Sequence, residues 1–144
     1  MKDEGTAALS EALKSNSTLE ELKLSRNQIG AVGAQSLANM LQFNRSLKSA
    51  DFSANSIGDE GTAALSDALK TNSTLETLEL RSNKVGAAGA QSLAGMLQVN
   101  RALKSANLAF NDIGDEGAVA ISAALENNTT LTGLNLRGSS RPNA

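Results

Sequence analysis

The chain of 144 residues carries 13 Lys and Arg against 15 Asp and Glu, a formal net charge of −2. That length suits one domain, and the charge balance leaves no basic footprint for nucleic acid or anionic lipid, so neither nucleic acid nor membrane is expected as a partner. Cys, His, Tyr and Trp are all absent, which excludes disulfides and thiol chemistry and removes the commonest general base and transition-metal ligand.

In chain order the first element is a helix over 3–15, with Asp3 and Glu4 at its start and Leu9, Ala12 and Leu13 on one face. A short strand follows, because Leu22 and Leu24 alternate with polar residues. Asn27 stands where the backbone must leave that strand, and Gly30 marks the turn, three residues before a second Gly. The next helix places Leu37, Met40 and Leu41 on one face and closes at Asn44. The cycle then restarts at Leu47, Leu75, Leu103 and Leu131, an interval of 28 residues from Leu19. Asn55, Asn83 and Asn111 continue the first Asn column, which can hydrogen-bond the backbone of neighbouring turns. Asn72, Asn100 and Asn128 continue the helix-closing column. One domain over 1–144 is expected, with a partial repeat at 1–18, full repeats at 19–46, 47–74, 75–102 and 103–130, and a partial repeat at 131–144.

A strand-plus-helix unit cannot bury its own apolar face, so the units must stack. Strands sit about 4.8 Å apart and helices about 8–10 Å apart, a mismatch that bends the stack with the sheet inside. The pattern LxxLxLxxNxIGxxGAxxLxxxLxxN resembles the ribonuclease-inhibitor class of leucine-rich repeats, and it covers nearly the whole chain. The resemblance implies an α/β right-handed solenoid with a concave parallel sheet and convex helices. That class includes nucleotide-binding-domain immune receptors and activators of the Ran GTPase. It therefore implies a non-catalytic protein-interaction module, with a GTPase activator using Arg26, Arg81 or Arg137 near a phosphate as the alternative.

A second period overlies the first, since the units beginning at Leu19 and Leu75 agree at about two-thirds of their positions and neighbouring units at only about a third. Met40 and Met96 stand where Ala12, Ala68 and Ala124 occur in the other type. The following strands carry Ala50 and Ala106 after Met but Leu22, Leu78 and Leu134 after Ala. Large follows small, which keeps each layer near interior packing density.

No phosphate-binding loop or nucleophile with its base is present, and Asp112, Asp115 and Glu116 lack the spacing of a calcium loop. Neither catalytic residue, metal nor cofactor is expected. No apolar run approaches transmembrane length, and Met1-Lys2-Asp3-Glu4 begins no signal peptide, so a cytoplasmic protein is expected. Strand residues between the Leu positions should face the concave side. They form columns Glu21, Ser49, Thr77, Ser105, Gly133; Lys23, Asp51, Glu79, Asn107, Asn135; and Ser25, Ser53, Arg81, Ala109, Arg137. Glu20, Lys48, Glu76 and Lys104 alternate in sign beside them and should pair across rungs. The candidates for holding a protein partner are Glu21, Lys23, Asp51, Glu79, Arg81, Asn107, Asn135 and Arg137, with Phe110 as an aromatic anchor at the rim. Phe43 and Val99 are expected under the following loops. Leu131, Leu134 and Leu136 form a strand with no covering helix after it, so a homodimer or higher oligomer through the ends is expected. A fold-back of 138–144 as an irregular cap is the alternative.

Overall fold

Each strand is only three residues long; the first four bury their middle side chain, as the two-residue alternation requires, and the last, at the end of the stack, leaves Leu134 half-buried. The computed structural model describes residues 1–140. The elements run α1 (Asp3–Ser15), β1 (Glu21–Lys23), α2 (Ala31–Phe43), β2 (Ser49–Asp51), α3 (Gly58–Leu69), β3 (Thr77–Glu79), α4 (Ala87–Val99), β4 (Ser105–Asn107), α5 (Gly114–Leu125) and β5 (Gly133–Asn135). The five strands form one parallel sheet in chain order. Its register steps by one repeat, from Glu21 through Ser49, Thr77 and Ser105 to Gly133. Every helix packs on the next one in sequence, so the molecule is a solenoid whose core lies between the sheet and the helix layer.

The core follows the volume alternation. Met40, Met96, Ala50, Ala68, Leu78, Ala106 and Ala124 are all buried in one cluster, and Phe52 is its largest fully buried side chain. The first helix departs from the expectation: Leu13 is buried, Leu9 is half-buried, and Ala12 faces solvent.

Two Asn ladders tie the repeats together. In the strand-exit column, Asn55 Oδ1 accepts from the N–H groups of Asn27 (3.1 Å) and Ile29 (3.2 Å), while its Nδ2 donates to the carbonyls of Leu24 and Phe52. Asn111 repeats this toward Asn83 and Val85. The helix-closing Asn residues do more than end helices. Asn72 Nδ2 donates to the Leu41 carbonyl at the end of the preceding helix (2.8 Å), and its Oδ1 accepts from the N–H of Leu75 (2.9 Å). Asn44, Asn100 and Asn128 do the same one repeat apart. These side chains satisfy buried backbone groups that have no partner in a three-residue strand or at a helix end.

The junctions between helices are of two kinds. Where an Ala-type helix precedes a Met-type one, a carboxylate reaches across. Asp59 in the first turn of α3 accepts from Gly86 N–H (2.6 Å) and Gly89 N–H (3.0 Å) at the start of α4, and Asp3 likewise takes Gly30 N–H (2.8 Å). The acids thus sit at the positive end of their own helix, as expected, and also cap the next one. In the same junction Gly58, at φ +66°, turns its N–H forward to the Asn83 carbonyl (2.9 Å). Where a Met-type helix precedes an Ala-type one, contact is steric instead. A Cβ on Gly61 would lie 2.8 Å from Ala34 Cβ and 2.6 Å from Ile57 Cγ2, and one on Gly117 would lie 2.9 Å from Ala90 Cβ. The second glycine of each pair is therefore a helix-packing residue and not part of the turn.

Candidate functional site

On the side of the sheet away from the helices, the residues flanking each buried strand centre project to solvent, because side chains alternate across a strand. Glu21 and Lys23 are exposed on the first rung and pair at 2.8 Å. That carboxylate, by hydrogen bond and charge, holds the Lys23 ammonium above its ordinary pKa. On later rungs the same column folds back on the main chain. Asp51 accepts from Ser53 N–H (2.9 Å), Asn107 from Ala109 N–H (3.0 Å) and Asn135 from Arg137 N–H (3.0 Å). Glu79 accepts from Asn107 Nδ2 at 2.7 Å. Beside them Glu20–Lys48 (3.9 Å) and Glu76–Lys104 (3.7 Å) form the expected cross-rung pairs.

The strand exits then raise a rim. Arg26, Ala54, Ser82, Phe110 and Gly138 occupy one position in successive repeats, all with φ between 54° and 65°. Each of the first four donates its N–H to the neighbouring rung: Arg26 to Ser53, Ala54 to Arg81, Ser82 to Ala109 and Phe110 to Arg137. Phe110, 44% exposed, is held from three sides. A Cβ on Gly138 would lie 2.7 Å from its ring, so the ring lies over the next turn, and only glycine leaves it room. Arg81 and Arg137 bring their guanidinium carbons to 4.9 and 5.6 Å from the ring centroid. The aromatic is thus both a rim residue and a cover for the adjacent turn.

Two cavities result. One of about 540 Å³ is lined by Ser25, Arg26, Asp51, Ser53, Glu79 and Arg81 among others. The second, of about 240 Å³, is lined by Arg81, Asn107, Ala109, Phe110, Asn135 and Arg137. Five of the nine residues singled out from the sequence therefore converge on one pocket, and Asp51 and Glu79 border the adjoining one, while Glu21 and Lys23 lie outside both. Arg26 shares the larger cavity with Arg81, and Arg137 belongs to the smaller. The sequence missed Ala109, whose 2% exposure makes it the pocket floor. Its small size between two arginines of the same column was the available signal.

Phe43 and Val99 are not under the following loops; they are 61% and 56% exposed, because each stands at the last position of its helix, turned from the core. Lys14 lies 5.7 Å from the Phe43 ring. Leu131, Leu134 and Leu136 are half-buried against the core edge, and Ser139 O accepts from Gly114 N–H (2.9 Å). The rest of the expected fold-back, 141–144, lies outside the described residues. Among the described residues no group of three or more Asp and Glu side chains is placed to hold a metal ion, and no helix is long and apolar enough to cross a membrane.

The family model described as Leucine Rich repeat matches at 15–38, 43–66, 71–94 and 99–122. Among solved structures, leiomodin-1 actin-binding site 2 aligns with a TM-score of 0.81 at 22% identity, covering 88% of this chain and 76% of that one. The tropomodulin C-terminal domain of Caenorhabditis elegans aligns with a TM-score of 0.73 at 19% identity, covering 88% and 77%. No curated protein matches the sequence.

Proposed function

From the premise that the chain belongs to the leucine-rich repeat family, we propose that it is a non-catalytic protein-interaction module, taking its partner on the open, concave side of the sheet. The observation that carries this reading is the division of labour between the two sides of the strands. One side is consumed by the core, while the other displays charged and amide side chains around two adjoining cavities of about 540 and 240 Å³. One structural neighbour, leiomodin-1 actin-binding site 2, is named for actin binding, which makes actin the first directed partner to test. On this reading the protein works in the cytoplasm, as one domain over 1–144.

The test is co-sedimentation with actin filaments and capture from the source cell, using wild type, Lys23→Glu and Asp51→Lys on the sheet face, and Gln91→Lys on the helix side. A partner lost with the sheet-face variants and kept with Gln91→Lys supports the reading; the reverse pattern overturns it. Phosphate release from GTP-loaded Ran is expected to be unchanged by the protein. The half-buried Leu131, Leu134 and Leu136 are the proposed self-association surface. Sedimentation should show a dimer or larger species that Leu134→Glu weakens, and a monomer at high micromolar concentration would remove it.

A further inference from the structure

We propose that the pocket between Arg81 and Arg137 is a carboxylate receptor, seating one Asp or Glu side chain from an acidic segment of a protein partner; this rests on the protein-binding reading above. The two guanidinium groups approach one ring, at 4.9 and 5.6 Å from the Phe110 centroid, yet neither takes part in the five ion pairs among the described residues. No carboxylate lines the pocket. Two cations drawn together without an anion form a site that an incoming negative charge stabilises.

A third donor points the same way. Asn107 and Asn135 occupy equivalent positions, and both use Oδ1 to accept a main-chain N–H two residues on. Asn107 Nδ2 donates to Glu79, whereas Asn135 Nδ2 has no partner among the described residues, since the preceding rung offers it Asn107 and not an acid. The pocket therefore presents two planar forks and an amide N–H pair around a buried floor at Ala109. Phe110 restrains both arginines before any ligand arrives, which lowers the ordering cost of binding.

The size and the neighbourhood select the ligand. At about 240 Å³ the pocket is smaller than the ~300–1,000 Å³ usual for free small-molecule ligands, and it suits a single side chain. Asp51 and Glu79 border the adjoining cavity, which shares Arg81 and Asn107 with this one. Their charge repels a phosphate dianion about twice as strongly as a carboxylate. The same acids favour a basic or neutral residue next to the seated acid on the partner.

The test uses a capped pentapeptide of Gly and Ser with one central Glu, titrated into isotope-labelled protein and followed by nuclear magnetic resonance at low salt. Saturable shifts are expected at Arg81, Phe110, Asn135 and Arg137, including the arginine side-chain N–H signals. A Kd on the order of millimolar should weaken several-fold at physiological salt. Arg81→Gln and Arg137→Gln should each weaken binding at least about fivefold, as fits loss of a charge-assisted fork. Lys14→Gln, which removes the same charge far from the pocket, should not. Both arginines are exposed, so the variants should fold, and Arg137→Lys, keeping charge without the fork, should fall between. Equal shifts with the same pentapeptide carrying Gln in place of Glu, wild-type affinity in both arginine variants, or tighter binding of inorganic phosphate or a phosphoserine peptide would each overturn the proposal. Failure of the peptide while the sheet-face variants still lose the cellular partner would reject the carboxylate pocket and leave the protein-binding reading standing. Peptide binding with partner capture untouched by those variants would reject only the latter.

Discussion

The junction between α3 and α4 and the junction between α2 and α3 hold the same 28-residue register by opposite means. At the first, Asp59 clips two N–H groups of the next helix and Gly58 donates forward to Asn83. At the second, glycine meets alanine with no room for one more carbon. The clip requires a particular charge and the seam only small side chains, while neither junction has room for a Cβ on its second glycine, which at Gly89 would lie 2.7 Å from Val85 Cγ1. The structural repeat is therefore a pair of units, because only a pair contains both kinds of junction.

The largest effect should come from breaking the volume alternation that accompanies the two junctions. Leu78→Ala leaves both Leu78 and Ala68 positions small and should cost about 2–5 kcal/mol in chemical denaturation. Adding Ala68→Met should return part of the loss, and a double mutant no better than the sum of the singles would refute the compensation. Next, Gly61→Ala should destabilise by about 1–3 kcal/mol through overpacking against Ala34 and Ile57. Gly95→Ala, where an added Cβ meets nothing within 4 Å, should stabilise by up to about 1 kcal/mol; equal melting shifts for the two would dissolve the steric seam. Asp59→Ala should cost about 1–2 kcal/mol by stripping the cap from α4, while Glu60→Ala beside it should change thermal stability little. The smallest change has the opposite sign. Ser66 is buried with no partner for its hydroxyl, and the Met-type helices carry Ala38 and Ala94 at that place. Ser66→Ala should raise stability by about 0.5–1 kcal/mol, and a loss would mean that the hydroxyl is satisfied.

What repeats in one column was legible in the sequence. Leu22, Leu78 and their equivalents gave the strands, the Asn27-to-Asn111 column gave the turn ladder, and Glu20–Lys48 gave the cross-rung pairs. What depends on two different columns meeting was not. Asp59 and Gly86 lie 27 residues apart, one short of the repeat, so neither column alone signals the clip. The second Asn column read as helix ends because its partners are carbonyls 31 residues back, and carbonyls carry no sequence signal. Phe110 was legible as an exception in its column. Its pocket was not, since the direction of the ring depends on a backbone angle and on the bare Cα of Gly138. Phe43 was misread because apolar character alone does not tell which way the last residue of a helix points.

The rim column has one more consequence. Arg26, Ala54, Ser82 and Phe110 hold left-handed backbone angles that cost a non-glycine residue roughly 1–2 kcal/mol each. They are held there by main-chain bonds to the next rung, whatever the side chain is. The solenoid thus carries a distributed internal tension along the edge that displays Arg26, Ala54, Ser82 and Phe110. Glycine at Ala54 or Ser82 would release it, a reserve of thermostability open to engineering without changing a residue of the smaller pocket between Arg81 and Arg137, although both positions line the larger cavity. The same rigidity explains how arginine, alanine, serine and phenylalanine can succeed one another at one site. The main chain there is set by its neighbours, and the side chain is free to vary.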